Sequence, residues 1–187
     1  MLNPRLASRY AKALLDISIE KNQLETVYAD VQWLRAICKS SADFVNLLRS
    51  PIIKADKKQK IVDAITQNNI NNITAGFLKL MISKGRESNL PEVLPAFINL
   101  YKQHNNIHSV ILTTAVPVSD EVKNNIVNQV KRSAGVEKIE LEEKVNPDLI
   151  GGFVLEMGDQ MVDASIAYDL REVAKQFKNN DFIYKVR

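Results

Sequence analysis

The sequence has 187 residues, of which 45% are hydrophobic and 25% charged, the balance of an ordinary soluble globular protein. This length fits one large or two small domains, and the apolar fraction is enough to fill a core, so disordered and fibrous classes are excluded. Cys38 is the single cysteine, which excludes a disulfide framework and a cysteine-rich metal site. It lies in a helical apolar stripe and is predicted to be packed and unreactive. No apolar run approaches the roughly 20 residues that a membrane-spanning helix needs.

The two halves of the chain differ in charge. Residues 1–107 hold 15 basic and 9 acidic side chains, whereas residues 108–187 hold 10 and 13. Such asymmetry predicts that the halves face different partners, although it is too mild to require nucleic acid. The N-terminal region lacks the continuous apolar core of a signal peptide, and Asp16 and Glu20 extend its basic helix beyond a presequence pattern. We therefore expect a mature protein that begins at Met1 and works in a reducing, cytoplasmic compartment.

The first half has the apolar periodicity of consecutive helices. The first helix carries five apolar side chains at helical spacing: Leu6, Tyr10, Ala13, Leu14 and Ile17. Further helices are predicted at about 23–37, 43–48, from 56 onward, 73–84 and from 89 onward. The fifth is apolar around much of its circumference, and Gly85 is placed to end it. Six helices in this half predict a compact bundle.

The hydrophobic period changes after residue 108. Residues 109–115 are rich in β-branched side chains and predict a strand, and a helix then ends at Gly135. Residues 138–145 alternate apolar and charged side chains with one slip, and residues 153–157 and 160–163 predict two strands joined by a tight turn. The last helix carries one apolar face, made of Ile166, Leu170, Val173, Ala174 and Phe177. We predict an α+β protein of two domains: a six-helix bundle over residues 1–106 and a small β-α-β-β-α domain over residues 107–187.

No constellation of residues predicts catalysis. His104 and His108 are the only histidines, and no acidic or cysteine ligand lies beside them, so a solvated pair is the better interpretation than a metal site. The one cationic cluster has no interleaved aromatic for base stacking, which favours a solvated helix face over nucleic-acid binding. It consists of Lys54, Lys57, Lys58 and Lys60. We predict no enzyme activity, no catalytic residue, no metal and no cofactor.

The glycine-rich C-terminal segments are predicted to have backbone roles. Gly151 and Gly152 lack the spacing of a dinucleotide-binding or P-loop motif, so positive φ, a bulge or close packing at a strand start is expected. Gly158-Asp159 is a tight-hairpin signal. Asp163 or Ser165 is placed to cap the last helix, which explains the aspartates without an acid–base pair.

Several segments together carry a family pattern along the chain. Residues 9–15 (Arg-Tyr-Ala-Lys-Ala-Leu-Leu) are similar to an opening Arg-x-Tyr-Ala-x-Ala pattern, and residues 47–53 to a Leu-x-Ser-Pro-x-Ile segment. Residues 77–81, 85–86 and 90–93 are similar to the fifth and sixth helices of the same family pattern. The most specific match is Asn-Pro-Asp-Leu-Ile-Gly-Gly-Phe at residues 146–153, which leads through Gly158-Asp159 to Val-Asp-Ala-Ser-Ile at residues 162–166. These segments resemble the delta/OSCP family of F-type ATP synthase, whose members most often carry Asp at position 146. Only residues 179–187 run past the usual end.

The resemblance implies a stator role without catalysis. In this family the N-terminal bundle binds the N-terminal helix of an alpha subunit, and the C-terminal domain engages the C-terminal end of the b-type stalk. The connector keeps the catalytic head from turning with the rotor, so that proton flow is coupled to ATP synthesis. The resemblance implies that the protein binds no nucleotide and no nucleic acid. It also implies a location at the cytoplasmic face of a bacterial inner membrane, with only indirect association with that membrane.

The resemblance also implies where the partners bind. The family's groove for the alpha-subunit helix lies between the first and fifth helices, and it maps here onto Tyr10, Ala13, Ile17, Phe77, Leu80 and Met81. The alternative is that these six residues simply fill the bundle core, but the fifth helix is apolar on more sides than one core requires. For the stalk, the acidic surface of the second half and the helix over 166–177 are the expected contacts.

An RNA-binding helical bundle is the main alternative of another class. The basic first half fits on charge alone, and phosphate contacts would make affinity fall steeply with salt. The sequence lacks an aromatic and arginine-rich platform, which argues against it. A small enzyme is the third possibility, without an assembled site to support it.

Overall fold

The computed structural model of the chain describes residues 4–67, 69–136 and 138–178. The chain divides into two compact units, Met1–Asn105 and Asn106–Arg187, against a predicted boundary between residues 106 and 107. Helices make up the first unit, and a mixed sheet with two helices makes up the second. The predicted α+β class is therefore confirmed.

Six α-helices are described in the first unit. They are α1 (Pro4–Glu20), α2 (Leu24–Ser40), α3 (Ala42–Arg49), α4 (Ala55–Thr66), α5 (Asn72–Ser83) and α6 (Leu90–His104), with a 3₁₀ turn at Glu87–Asn89. The second unit contains β1 (Ile107–Thr114), α7 (Asp120–Ala134), β2 (Lys138–Val145), a 3₁₀ turn at Pro147–Leu149, β3 (Gly152–Met157), β4 (Gln160–Ser165) and α8 (Ile166–Lys178).

The buried face of α1 is rotated relative to the apolar stripe that the sequence suggests. Its buried residues are Ala7, Ala11, Leu14, Leu15 and Ser18. Small alanines let α1 lie close to α6, its most extensive neighbour. The Ser18 hydroxyl is buried because it donates to the carbonyl of Leu14 at 2.6 Å. The rotation leaves Ile17 exposed on the flank of α1.

Gly85 ends α5 as predicted. It adopts a φ of 63°, and its N–H donates to the carbonyl of Ile82 at 3.0 Å. The N–H of Arg86 donates to the carbonyl of Met81 at 2.8 Å. These two bonds form a Schellman motif, which satisfies the last carbonyls of the helix and favours glycine at this position.

Lys58 does not belong to a solvated face, contrary to the prediction for the lysine cluster. Only 4% of it is exposed, and its ammonium donates to the Leu48 carbonyl at 2.9 Å and to Glu87 Oε1 at 2.6 Å. The lysine therefore joins α4 to the end of α3 and to the 3₁₀ turn. The hydrophobic stem of a lysine suits such a buried path when its charge is paired at the end. Lys54, Lys57 and Lys60 are exposed.

Tyr101 joins α6 to α2 through a polar and aromatic cluster. Its hydroxyl lies 2.9 and 2.8 Å from the two carboxylate oxygens of Glu25, and its ring stacks on Tyr28 at a centroid distance of 3.8 Å. Burial, with the hydrogen bond to Glu25 as a second cause, raises the pKa of Tyr101 to about 12.

This shift predicts a contribution to stability that disappears at alkaline pH. The folded state favours the neutral phenol, so the contribution is complete below the ordinary pKa of 10.0 and is lost as the pH rises through about 12. Urea unfolding of the wild type and of Tyr101→Phe should therefore show a stability difference that shrinks across this window. A difference that stays constant with pH would contradict the assignment.

The second unit contains a four-stranded sheet of order β2-β1-β3-β4. The pair β1–β2 is parallel and connected through α7, whereas β1–β3 and β3–β4 are antiparallel. The predicted β-α-β-β-α order has one strand too few, because residues 138–145 form a full strand beside the first strand and the hairpin. The slip in their alternation fits an edge strand, whose exposed side chains are not held to a strict pattern.

One face of the sheet is covered only in part by a helix. Val110 and Leu112 of β1 are buried and pair with Met157 and Leu155 of β3, so these side chains share one face. The helix α7 packs against β2, at one side of this face. One helix is about 10 Å wide and strands lie about 4.8 Å apart, so α7 covers roughly half of a four-stranded face. The half formed by β3 and β4 therefore lacks a covering helix among the described residues.

Candidate partner-binding sites

An open groove of about 550 Å³ lies between α1 and α5. Its lining is apolar along the middle and polar at one end. The residues are Leu14, Ile17 and Lys21 of α1, Gln23 of the following turn, and Asn71, Asn72, Ile73, Gly76, Phe77 and Leu80 of or beside α5. The groove is open to solvent.

Three of the six predicted groove residues line this space: Ile17, Phe77 and Leu80. Ile17 is 45% exposed and Leu80 is 47% exposed, although both are large and apolar. Phe77 is buried and forms the floor of the groove. Tyr10 reaches it from α1, with the two rings edge to face at a centroid distance of 6.3 Å.

The other three predicted residues are not among those that line the groove, although Tyr10 contacts Phe77. Ala13 is exposed on α1, one turn before Ile17. Met81 is 1% exposed and belongs to the core, where it borders a small internal space with Leu48 and Val62. Met81 therefore fills the core, as in the alternative interpretation. Ile17 and Leu80 do not, and their side chains are accessible from solvent.

Sequence reasoning missed several lining residues, above all Ile73 and Gly76. Ile73, Phe77 and Leu80 follow the spacing i, i+4, i+7, so a second apolar stripe on α5 was present in the sequence. Gly76 lies in mid-helix, where glycine is unfavourable, and a Cβ added to it would meet nothing within 4 Å. Its small size widens the groove at its centre.

A buried carboxylate fixes the wall of the groove. Asp30 of α2 accepts from the N–H of Asn71 at 2.8 Å and from the hydroxyl of Thr74 at 2.6 Å. The Asn71 side chain caps α5 by accepting from the N–H of Ile73, and it donates to the Gln23 amide at 2.8 Å. The start of α5, and with it the polar end of the groove, is thereby held in place.

The second unit presents two apolar surfaces. One is a groove of about 370 Å³ between α7 and the β3–β4 hairpin, lined by Ile126, Gln129, Val130, Phe153, Leu155, Met157, Gln160 and Val162. The other is the stripe on α8 formed by Ile166, Leu170 and Val173, all of which are exposed. The predicted apolar face of the last helix is therefore open to solvent at these positions. The side chain of Phe177, also assigned to that face, lies outside the described part of the chain.

The predicted backbone roles of the glycines agree with the geometry. A Cβ on Gly152, whose φ is 73°, would lie 2.1 Å from the carbonyl oxygen of Ala164, so only glycine fits where β3 begins beside β4. A Cβ on Gly151 would meet the end of the Ile166 side chain at 2.7 Å. Gly158 has a φ of 59° and forms with Asp159 the two-residue turn between β3 and β4.

Asp163 and Ser165 start the last helix together. The N–H of Ser165 donates to Asp163 Oδ1 at 3.0 Å, and the Ser165 hydroxyl accepts from the N–H of Tyr168 at 3.1 Å. Ser165 is therefore the capping residue of the predicted pair. Hydrogen bonding from Ser165, assisted by the charge of Arg171, holds the pKa of the Asp163 carboxyl below its usual value.

Ile150 carries the most strained backbone conformation described. Its φ of 66° and ψ of −43° are unusual for a β-branched residue, and the N–H of Gly151 donates to the carbonyl of Leu149 at 2.7 Å across it. This is the rarer, strained form of γ-turn. The side chain of Ile150 is 63% exposed, so burial does not compensate the strain.

Replacing Ile150 with glycine is expected to stabilise the second unit by about 1 kcal/mol. Relief of strain worth roughly 1–3 kcal/mol outweighs the greater chain entropy of glycine, about 0.5–1 kcal/mol. Urea unfolding checks this, with Ile150→Ala as the matched variant because alanine keeps the strain of a positive φ. Equal stability of the glycine and alanine variants would contradict the prediction.

Within the described residues, no group of three or more His, Cys, Asp or Glu side chains is arranged to hold a metal ion. The helices described there are also too short or too polar to cross a membrane. Cys38 is half-buried, and this burial raises the pKa of its thiol, which disfavours the reactive thiolate.

Comparison with known proteins decides the family. Residues 6–177 match the family described as ATP synthase delta (OSCP) subunit. The chain belongs to this family. ATP synthase subunit delta of Prochlorococcus marinus strain AS9601 is 37% identical over 164 residues, which cover 88% of this chain and 91% of that protein. ATP synthase subunit delta of Christiangramia forsetii is 34% identical over 186 residues, which cover 100% of both chains.

A solved structure has a similar fold. A chain from the mitochondrial ATP synthase hexamer of Toxoplasma gondii superposes with a TM-score of 0.72 at 23% identity, covering 92% of this chain and 97% of that chain. The family match and the two relatives confirm the family predicted from the sequence motifs, and this delta-family protein is a peripheral-stalk component of an F-type ATP synthase.

Proposed function

We propose that this delta-family subunit is a non-catalytic connector of the stator. Its helical unit binds the N-terminal helix of an alpha subunit, and its second unit binds the C-terminal end of the b-type stalk. The catalytic head is thereby kept from turning with the rotor, and proton flow is coupled to ATP synthesis. The observation that carries this proposal is the open apolar groove between α1 and α5, with Ile17 and Leu80 exposed beside a buried Phe77.

The groove has the properties that binding of an amphipathic helix requires. The apolar positions Ile73, Phe77 and Leu80 lie on one side of α5, and Leu14 and Ile17 lie on the facing side of α1. A guest helix with apolar residues at i, i+3 or i+4, and i+7 would cover both rows. Full burial of a large aliphatic side chain contributes about 1.5–3 kcal/mol, so completing the burial of Ile17 and Leu80 supplies roughly half of that for each.

The stripe on α8 supports the assignment of the second unit to the stalk. Ile166, Leu170 and Val173 follow the spacing i, i+4, i+7, which is the seam by which one helix packs along another. The neighbouring helical positions are charged, with Asp169, Arg171 and Glu172 exposed or half-exposed. A long stalk helix with its own apolar seam fits this surface.

The proposed location follows from the complex. The subunit lies at the cytoplasmic face of the bacterial inner membrane and associates with it only through the membrane-anchored stalk. In this proposal it binds no nucleotide or nucleic acid and needs no cofactor.

The test is calorimetric titration of the full chain with a synthetic N-terminal peptide of the alpha subunit from the same organism, at low and high salt. One-to-one binding is expected, with affinity falling less than about tenfold with salt because the contacts are mainly apolar. The control titrant is a peptide of the same composition in scrambled order, which lacks the apolar stripe.

If the folded chain does not bind the alpha-subunit peptide, the proposed binding of the alpha-subunit helix is wrong. Titration with a single-stranded RNA oligonucleotide then addresses the alternative. Binding that falls about 10³-fold or more with salt would identify phosphate contacts and an RNA-binding bundle instead.

A further inference from the structure

The polar end of the α1–α5 groove carries an uncompensated positive charge. Lys21 lines the groove there, beside the amides of Gln23, Asn71 and Asn72. The lining residues within the described part of the chain include no carboxylate. In the same part of the chain, no acidic side chain lies within ion-pair distance of the Lys21 ammonium.

The carboxylate that holds the polar end of the groove in place is already engaged. Asp30 is 6% exposed and accepts from Asn71 and Thr74 inside the bundle. The Gln23 and Asn71 amides bond to each other at 2.8 Å. Lys21 is therefore the charged group that this end of the groove presents to a guest.

The spacing along α5 defines where the guest must carry a complementary charge. Asn72 begins α5 at the polar end and Leu80 lies at the apolar end, eight residues further along. At 1.5 Å per residue, the two positions are about 12 Å apart, or a little over two helical turns. A guest helix lying along the groove spans the same distance with the same number of residues.

We propose that the guest of this groove is an acidic amphipathic helix, with an Asp or Glu side chain paired to Lys21. The carboxylate lies about two turns from the apolar anchor that contacts Leu80, and a further apolar residue between them packs on Phe77. Charge complementarity favours this guest over a basic helix of equal hydrophobicity, because a lysine or arginine at that position would meet Lys21 directly. The inference rests on the proposed function and specifies the chemistry of its alpha-subunit partner.

The test uses the full chain and the alpha-subunit N-terminal peptide at low salt. Lys21→Glu is expected to weaken binding about tenfold and Lys21→Gln about threefold, since a partly exposed pair contributes modestly and its reversal adds repulsion. Both effects should fade in high salt. Lys57→Glu is the matched control, because it makes the same charge change at an exposed position of α4 that does not line the groove.

A charge-swap experiment tests whether an acidic residue of the peptide pairs specifically with Lys21. Peptides in which each acidic residue is changed in turn to lysine are titrated against the wild type and against Lys21→Glu. One of these peptides should bind Lys21→Glu better than it binds the wild type. If the wild type binds the peptide but Lys21→Glu and Lys57→Glu bind it equally well, the pairing is wrong, whereas the proposed binding of the alpha-subunit helix is not contradicted. If the folded wild type does not bind, the proposed function itself fails.

Discussion

Lys58→Ala is expected to lower the free energy of unfolding of the helical unit by about 3–5 kcal/mol. The substitution leaves the Glu87 carboxylate almost buried without its cation and removes the donor to the Leu48 carbonyl. Glu87 Oε2 already has no hydrogen-bond partner among the described residues, so no second donor is at hand. Breaking a buried pair by removing one partner has this magnitude because an uncompensated charge remains. Urea unfolding followed by far-ultraviolet circular dichroism measures the loss.

Two further variants separate the ion pair from general effects of lysine removal. Lys57→Ala, on the exposed side of the same helix, should change stability by less than about 0.5 kcal/mol. The double variant Lys58→Met with Glu87→Leu should recover most of the loss, because two apolar side chains replace the whole pair. A loss below about 1 kcal/mol for Lys58→Ala would show that the pair is not buried in solution.

Gly76→Trp is expected to weaken binding of the alpha-subunit peptide about 100-fold or more, equivalent to about 2.7 kcal/mol. The added side chain would start where a Cβ meets nothing within 4 Å and would occupy the centre of the groove. The helical unit should remain folded, because the indole fills open space rather than the core. Calorimetric titration measures the affinity, and circular dichroism checks the fold.

Gly76→Ala is the matched control for the groove. It removes a mid-helix glycine, so it should stabilise the unit by roughly 1 kcal/mol, and its methyl group leaves most of the groove open. Peptide affinity should then stay within about threefold of the wild type, a change worth less than 1 kcal/mol. A folded Gly76→Trp chain that binds the peptide as the wild type does would place the guest elsewhere on the bundle.

Local chemistry made much of the fold predictable. Helical periodicity located the helices of the first half, and glycines with positive φ marked the end of α5 and the β3–β4 turn. Close approach of two strands explains why Gly152 stands where it does, and this role was also expected from the sequence. These features depend on residues near one another in the chain, where spacing and backbone preference are informative.

Features that depend on distant contacts were not predictable. Lysine is usually a surface residue. Lys58 can be buried because its charge pairs with Glu87, 29 residues later in the chain. Met81 and Leu80 are adjacent and both apolar, yet one faces the core and the other the groove. The direction in which each side chain points depends on how α5 packs. One contact that holds α5 is the hydrogen bond between Thr74 and Asp30, which lie 44 residues apart in the chain.

The edge position of β2 has a consequence for the subunit before it joins its complex. An exposed strand edge offers unpaired backbone groups to any other chain, and stacking of such edges leads to aggregates. Five of the eight residues of β2 are charged: Lys138, Glu140, Glu142, Glu143 and Lys144. Two β2 edges brought together would set these charges against each other while they lose water. Pairing of two copies through this strand is therefore disfavoured.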